Sequence, residues 1–208
     1  MNEVQDKLRF VNLDGLAHEF AGVFNRETIE RYVQDSLERL ERTSKVPQFI
    51  PLLAERFSRQ RLRSLAQSSG LETKLLPSVL FMCVHNAGRS QMAAAFMRSL
   101  GSGCVEARSA GSAPGGEIHA NVVEAMAEAG LSLDEEFPKP VTDEVVADAD
   151  VIVTMGCGDA CPVLPGKRYA DWQVDDPSGR PLADVRLIRE DIRQRVLALL
   201  SELEISPD

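Results

Sequence analysis

Cys83 and Arg89 stand six positions apart in the segment Cys83-Val84-His85-Asn86-Ala87-Gly88-Arg89-Ser90, a spacing that suits nucleophilic chemistry on a tetrahedral anion. A continuous apolar run over residues 79–84 precedes the loop, as expected of a strand buried on both faces. A helical stretch over 91–100 follows it. A strand–loop–helix junction aims backbone N–H groups and the positive helix end at one point, which makes an anion site. The same field favours a thiolate over a thiol, so Cys83 is the expected nucleophile. Arg89 can hold two oxygens of the anion in a bidentate grip, and Gly88 permits a tight backbone turn. Ser90 is expected to donate to the sulfur and Asn86 to brace the loop. The candidate anion-binding residues are therefore Val84, His85, Asn86, Ala87, Gly88, Arg89 and Ser90. His85 either tunes the thiolate or shapes the loop.

Three further cysteines are present, Cys104, Cys157 and Cys161. Four thiols are too few for a disulfide scaffold and enough for a redox relay or a metal site. Cys157 and Cys161 form a C-x3-C pair within Met155-Gly156-Cys157-Gly158-Asp159-Ala160-Cys161-Pro162, a segment with little side-chain bulk and ample backbone freedom. Zinc is one reading of the pair, but His18, His85 and His119 are scattered and make a poor ligand set, so no metal is expected. Inert, buried thiols are another. Cys104, between Gly103 and Val105, reads as a small buried hydrophobe in a strand.

The elements that must position these residues fall into two parts. Residues 1–73 carry equal numbers of basic and acidic side chains, and residues 74–208 carry the whole net charge of −9. In the first part Leu13, Leu16, Ala17, Phe20, Val23 and Phe24 recur at helical spacing. Asn25 can cap a second helix with Ile29, Tyr32, Val33, Leu37 and Leu40 on its apolar face. A third opens near Pro51 and stops near Gly70, with Arg56, Arg59, Arg61 and Arg63 on a charged face. From residue 76 the pattern alternates: strands over 79–84, 104–109, 149–155 and 168–172, helices over 91–100, 121–129 and 182–203. That predicts an α/β domain, a parallel sheet flanked by helices, preceded by a small all-α three-helix bundle. A bundle this small gains from burial against a second copy, so residues 1–73 are expected to form a homodimer. A DNA-binding helix-turn-helix using the four arginines is the competing reading, and the zero net charge of this part opposes it.

The acidic balance also disfavours nucleic acid and anionic membranes as partners. No apolar run approaches the ~18 residues of a membrane span, and the first residues lack a signal-peptide pattern. A cytoplasmic enzyme is expected. Trp172 is assigned to packing or to the rim of the site. His119 and the stretch Asp134-Glu135-Glu136 are assigned to solvated surface.

The stretch 83–92 resembles the active-site loop of the low-molecular-weight protein-tyrosine phosphatase superfamily. Ser109-Ala110-Gly111-Ser112 resembles its second motif and Asp176-Pro177 its general-acid motif, so Asp176 is preferred over Asp175 as the acid. Within that superfamily, Arg89-Ser90-Gln91-Met92 and the segment 174–179 resemble the arsenate reductase branch. Some thioredoxin-linked members bind potassium through a glutamate where this chain has Ala94, so that ion is not expected. The resemblance implies arsenate reduction by a relay of Cys83, Cys157 and Cys161, with no bound cofactor and with thioredoxin as the external reductant. Mycothiol with mycoredoxin is the alternative donor, and a protein-tyrosine phosphatase the alternative enzyme. A non-catalytic oxyanion-binding module is the remaining class. The first 73 residues resemble three-helix dimerisation modules fused to actinobacterial proteins of this kind.

Overall fold

The computed structural model describes residues 7–156 and 165–205. These form two compact units, one of residues up to 74 together with 142–148, the other of residues 75–141 and 149 onward.

The helical unit contains α1 (Leu13–Glu19), α2 (Arg26–Glu41), a 3-10 turn (Pro47–Phe49) and α3 (Ile50–Ser68). Asn12 and Asn25 cap α1 and α2, their side chains accepting from the amides of Gly15 and Thr28 at 2.9 Å. Such caps satisfy donors that a helix start otherwise leaves orphaned. Helix α2 buries Ile29, Val33, Leu37 and Leu40 against α3, which answers with Ile50, Ala54, Phe57 and Leu62. The apolar stripe expected to run to Phe24 is helical only to Glu19, and the chain turns at Gly22, whose φ is +83°.

Arg61 departs from expectation. It is not on a solvated charged face but 5% exposed, stacked over the rings of Tyr32 (4.8 Å) and Phe57 (5.3 Å). Its guanidinium donates to Ser36 Oγ (2.9 Å) and pairs with Asp35 (2.7 Å) and Glu144. Burial raises the Asp35 carboxyl, but the hydrogen bond from Arg39 and the charge of Arg61 outweigh it and hold the group below its usual range. Arg59 and Arg63 pair with Glu19, and Arg59 also with Glu55. Glu144 belongs to α6 (Asp143–Asp148), a six-residue helix that packs on α3 and was not foreseen from the sequence.

The second unit is built on a four-stranded, fully parallel sheet of order β2-β1-β3-β4, with β1 Ser78–Cys83, β2 Glu106–Gly111, β3 Val151–Met155 and β4 Arg168–Asp171. The chain moves to one side of β1 for β2 and to the other for β3. That reversal opens a crevice at the carboxyl ends of the strands, where sheets of this type bind ligands. Cys83 is the last residue of β1 and lies in register with Gly111 of β2 and Met155 of β3.

All six residues of β1 are buried. Val79, Phe81 and Cys83 join a core with α4 (Arg89–Leu100), α5 (Ala120–Glu128) and α7 (Leu182–Glu202). Leu80 and Met82 alternate to the opposite face and are equally buried. In α4 residues 89–97 are all buried, and Ala93, Ala94 and Ala95 let the helix lie close to its neighbours. Trp172 is 9% exposed, its ring 5.7 Å from that of Phe81, so it is a packing residue. Strand β2 starts two residues later than expected. Cys104 is consequently exposed in the preceding bend and is not a buried strand residue. Glu136 is half-buried between Arg98 and Lys139, which corrects its assignment to open surface.

Candidate active site

The segment from Cys83 to Gly88 turns from the end of β1 into the start of α4, and its path is fixed by backbone bonds. The carbonyls of Cys83, Val84, His85 and Ala87 accept from the amides of Ser112, Ala113, Gly115 and His119, at 2.8–3.2 Å. The segment following β2 thus lines the loop along its length. Gly111 must be glycine for this approach, since a Cβ there would lie 2.7 Å from the Val84 carbonyl oxygen.

Asn86 adopts φ +49°, the left-handed region that few side chains tolerate without local support. Its support is dense. Asn86 Nδ2 donates to Ser90 Oγ (2.8 Å), and Asn86 Oδ1 accepts from the amide of Lys139 (2.8 Å) and from Gln91 Nε2 (3.1 Å). Gln91 Nε2 also reaches the carbonyls of Asn86 (3.1 Å) and Phe137 (3.0 Å), while Gln91 Oε1 accepts from Ser109 Oγ (3.1 Å). Asn86 and Gln91 are both fully buried. This network bends the loop so that the Asn86 amide faces the Cys83 sulfur at 3.2 Å, with Ser90 Oγ at 3.0 Å. Gly88 precedes α4 and caps none of its first-turn amides. These donors and the positive helix end suit an oxyanion.

Arg89 is 9% exposed and turns toward the segment after β4. Arg89 Nη2 pairs with Asp176 Oδ2 at 2.9 Å, and Nη1 approaches the carbonyl of Val174 at 3.4 Å. Asp175 instead faces Arg180 (3.2 Å) and is largely exposed. Of the two carboxylates, Asp176 is the one beside Arg89. Pro177 presses on the loop: a Cβ on Gly88 would lie 2.6 Å from Pro177 Cγ. His85 is exposed and Val84 half-buried. His119 is half-buried at the start of α5, its amide bonded to the loop.

Gly156 was not singled out in the sequence. It follows β3 with φ +74°, and a Cβ there would lie 2.9 Å from Arg89 Nη1. Arg89 therefore rests on the backbone that leads directly into Cys157. Cys157 and Cys161 themselves lie outside the described residues. Gly156→Ala combines a strained φ with displacement of the guanidinium, so inorganic phosphate is expected to bind at least about tenfold more weakly, by calorimetry. Unchanged binding would show that Arg89 is not held by this contact. Among the described residues no group of three or more histidine, cysteine, aspartate or glutamate side chains is placed to hold a metal ion.

Residues 78–206 match the family model "Low molecular weight phosphotyrosine protein phosphatase". The chain belongs to this phosphatase family. Residues 12–66 match a separate model, "Protein-tyrosine-phosphatase-like, N-terminal domain". The structure is similar to that of the thioredoxin-dependent arsenate reductase of Corynebacterium glutamicum, with a TM-score of 0.85 and 42% identity over 96% of this chain and 97% of that one. A Halobacterium salinarum chain named for arsenate reduction is 40% identical over 134 residues, 62% of this chain and 92% of its own length. The glutaredoxin arsenate reductase of Synechocystis is 30% identical over 131 residues, 62% of this chain and 99% of its own. The low molecular weight phosphatase match therefore covers the sheet unit that carries Cys83, Arg89 and Asp176. The Corynebacterium likeness extends across the helical unit as well.

Proposed function

We propose that this chain reduces arsenate to arsenite, with electrons from thioredoxin. The observation that carries the reading is the placement of Cys83 on a braced anion loop whose arginine is held by Asp176. The likeness to a thioredoxin-dependent enzyme over almost the whole chain supports the choice of oxyanion and donor.

The Cys83 thiolate attacks arsenic(V), while Arg89 and the loop amides hold the charged oxygens. Asp176 gives its proton to the departing oxygen, which leaves as water, and arsenic stays bound to the sulfur. The Cys157 thiolate then attacks the Cys83 sulfur. The sulfur–arsenic bond breaks with its electron pair on arsenic, which departs as arsenite and leaves a Cys83–Cys157 disulfide. Attack by the Cys161 thiolate on Cys157 frees Cys83 and leaves a Cys157–Cys161 disulfide. The dithiol of thioredoxin supplies the two electrons that reopen it. Gly156, which precedes Cys157 in the chain, packs against Arg89, and this supports assigning the second attack to Cys157.

The test is arsenate-dependent NADPH oxidation with thioredoxin and thioredoxin reductase, run beside mycothiol with mycoredoxin. Turnover with mycothiol alone would replace the thioredoxin reading. Aryl phosphate hydrolysis far faster than arsenate reduction would replace the reductase reading with the phosphatase one. Arg89→Lys keeps the charge and loses the planar two-point grip, so kcat/KM for arsenate is expected to fall about 10²–10³-fold. A fall of less than threefold would remove Arg89 from the anion's grip.

We also propose that the helical unit joins two copies of the chain in the cytoplasm. Phe49, which ends the 3-10 turn, and Leu52, in the first turn of α3, are 51% and 48% exposed, and Phe10 is 77% exposed. Placing such apolar side chains against a second copy removes them from water. Light scattering on the full chain is expected to give a dimer, and Phe49→Asp with Leu52→Asp a monomer. A wild-type monomer overturns the assignment.

A further inference from the structure

The turn that carries Asp176 is held from outside itself by Arg89, which pairs with Asp176 at 2.9 Å, and by one further side chain. Asn121 lies in the first turn of α5, and its Nδ2 donates to the carbonyls of Pro177 (3.0 Å) and Arg180 (2.9 Å). Those carbonyls bracket the turn immediately after the acid. The turn also has bonds of its own. The Ser178 amide donates to Asp176 Oδ1 (3.0 Å), the Arg180 amide to the Pro177 carbonyl (3.2 Å), and Arg180 Nε to the Asp176 carbonyl (3.1 Å). These internal bonds shape the turn, while the Arg89–Asp176 pair and the contact of Pro177 with Gly88 tie its first two residues to the anion loop and leave its far end to be held otherwise.

Asn121 links that far end to the loop. Its helix begins under the loop: the His119 amide donates to the Ala87 carbonyl at 3.0 Å, and a Cβ on Gly88 would lie 3.6 Å from Val122 Cγ2. Pro177 closes on Gly88 from the other direction. Beyond it the turn is open at Gly179, where a Cβ would meet nothing within 4 Å. An open cavity of about 400 Å³, bordered by His119, Asn121 and Gly179, lies there.

We propose that Asn121 is a positioning residue for proton delivery: its amide group, together with the Arg89–Asp176 pair, registers the Asp176 turn against the anion loop. The proposal rests on Asp176 acting as the acid in the reaction above. Asn121 touches neither the anion nor the sulfur, so its effect belongs in the chemical step and not in anion capture. A proton donor displaced by a fraction of an ångström loses much of the about 10²–10⁴-fold that a general acid supplies.

The test uses the full chain with Asn121→Asp, which keeps the shape and removes the donor, and with Asn121→Ala. Both are expected to lower kcat for arsenate about tenfold, with KM and the inhibition constant of inorganic phosphate unchanged. The double variant with Asp176→Asn is expected to be no slower than Asp176→Asn alone, because the two side chains act on one step. An additive loss, or a raised KM at unchanged kcat, overturns the proposal.

Amide hydrogen exchange supplies a readout independent of activity. Asn121→Asp is expected to speed exchange at Ser178 and Arg180 while leaving the anion loop and α4 as protected as in the wild type. Equal exchange in the turn overturns the clamp. A wild-type chain that does not reduce arsenate contradicts the reductase reading, and exchange then still decides whether Asn121 holds the turn.

Discussion

Cys83→Ser is expected to abolish arsenate turnover while leaving inorganic phosphate bound. Serine fits the same space and can still meet the Asn86 amide and Ser90 hydroxyl. Its oxygen, however, is a poor nucleophile without an activating base, and it cannot enter a disulfide. Both chemical stages therefore fail together, and a loss of at least about 10⁵-fold is expected, the scale seen when a covalent nucleophile is removed. In the proposed site the groups that hold phosphate are Arg89 and the amides at the start of α4, none of which the substitution touches. Calorimetry should therefore return a phosphate dissociation constant within about threefold of the wild type. Loss of phosphate binding would mean that the sulfur maintains the loop's shape, and residual arsenite production would place the reacting thiol elsewhere.

Cys157→Ser and Cys161→Ser are expected to separate the two halves of the relay. With Cys157→Ser, arsenic(V) can still bond to Cys83, but no thiol is present to take the sulfur from it. Thioredoxin-coupled NADPH oxidation should fall to background. With Cys161→Ser, one arsenite per chain should form and the protein should stop as a Cys83–Cys157 disulfide, visible by mass spectrometry of unreduced peptides. Wild-type rates in both variants with thioredoxin would contradict the relay and leave Cys83 as the only required thiol.

The anion loop was legible in the sequence because its parts are local. Cys83, Asn86, Gly88, Arg89 and Ser90 run from the end of one strand through a turn into the first residues of one helix, so spacing alone places them together. What steadies the loop was not legible. Gln91 reaches the Phe137 carbonyl, 46 residues away, and the Lys139 amide returns to Asn86. Backbone donors and acceptors carry no residue-type signal. A polar Gln91 leading directly into the apolar run 92–97 was the available clue, since a buried amide requires partners. Gly156 escaped notice because its role depends on the approach of Arg89 across the sheet.

The same division runs through the fold. Strands β1 and β3 and the long helix α7 follow directly from apolar pattern, because their burial repeats along the chain. Helix α6 is too short for a period to emerge. Arg61 reads from sequence as a surface cation, and only the convergence of Asp35, Ser36 and Glu144 makes its burial possible. The start of β2 was misplaced because Val105 and Cys104 are apolar neighbours of a strand whose hydrogen bonding begins at Glu106.

The most direct measurement is a single turnover. Fully reduced protein is mixed with one equivalent of arsenate, with no external reductant, and arsenite and free thiols are counted together. The account predicts one arsenite per chain, the loss of two thiols in each, and no arsenite from Cys83→Ser. Arsenite formed without thiol loss, or reduced protein that leaves arsenate unchanged, would contradict it.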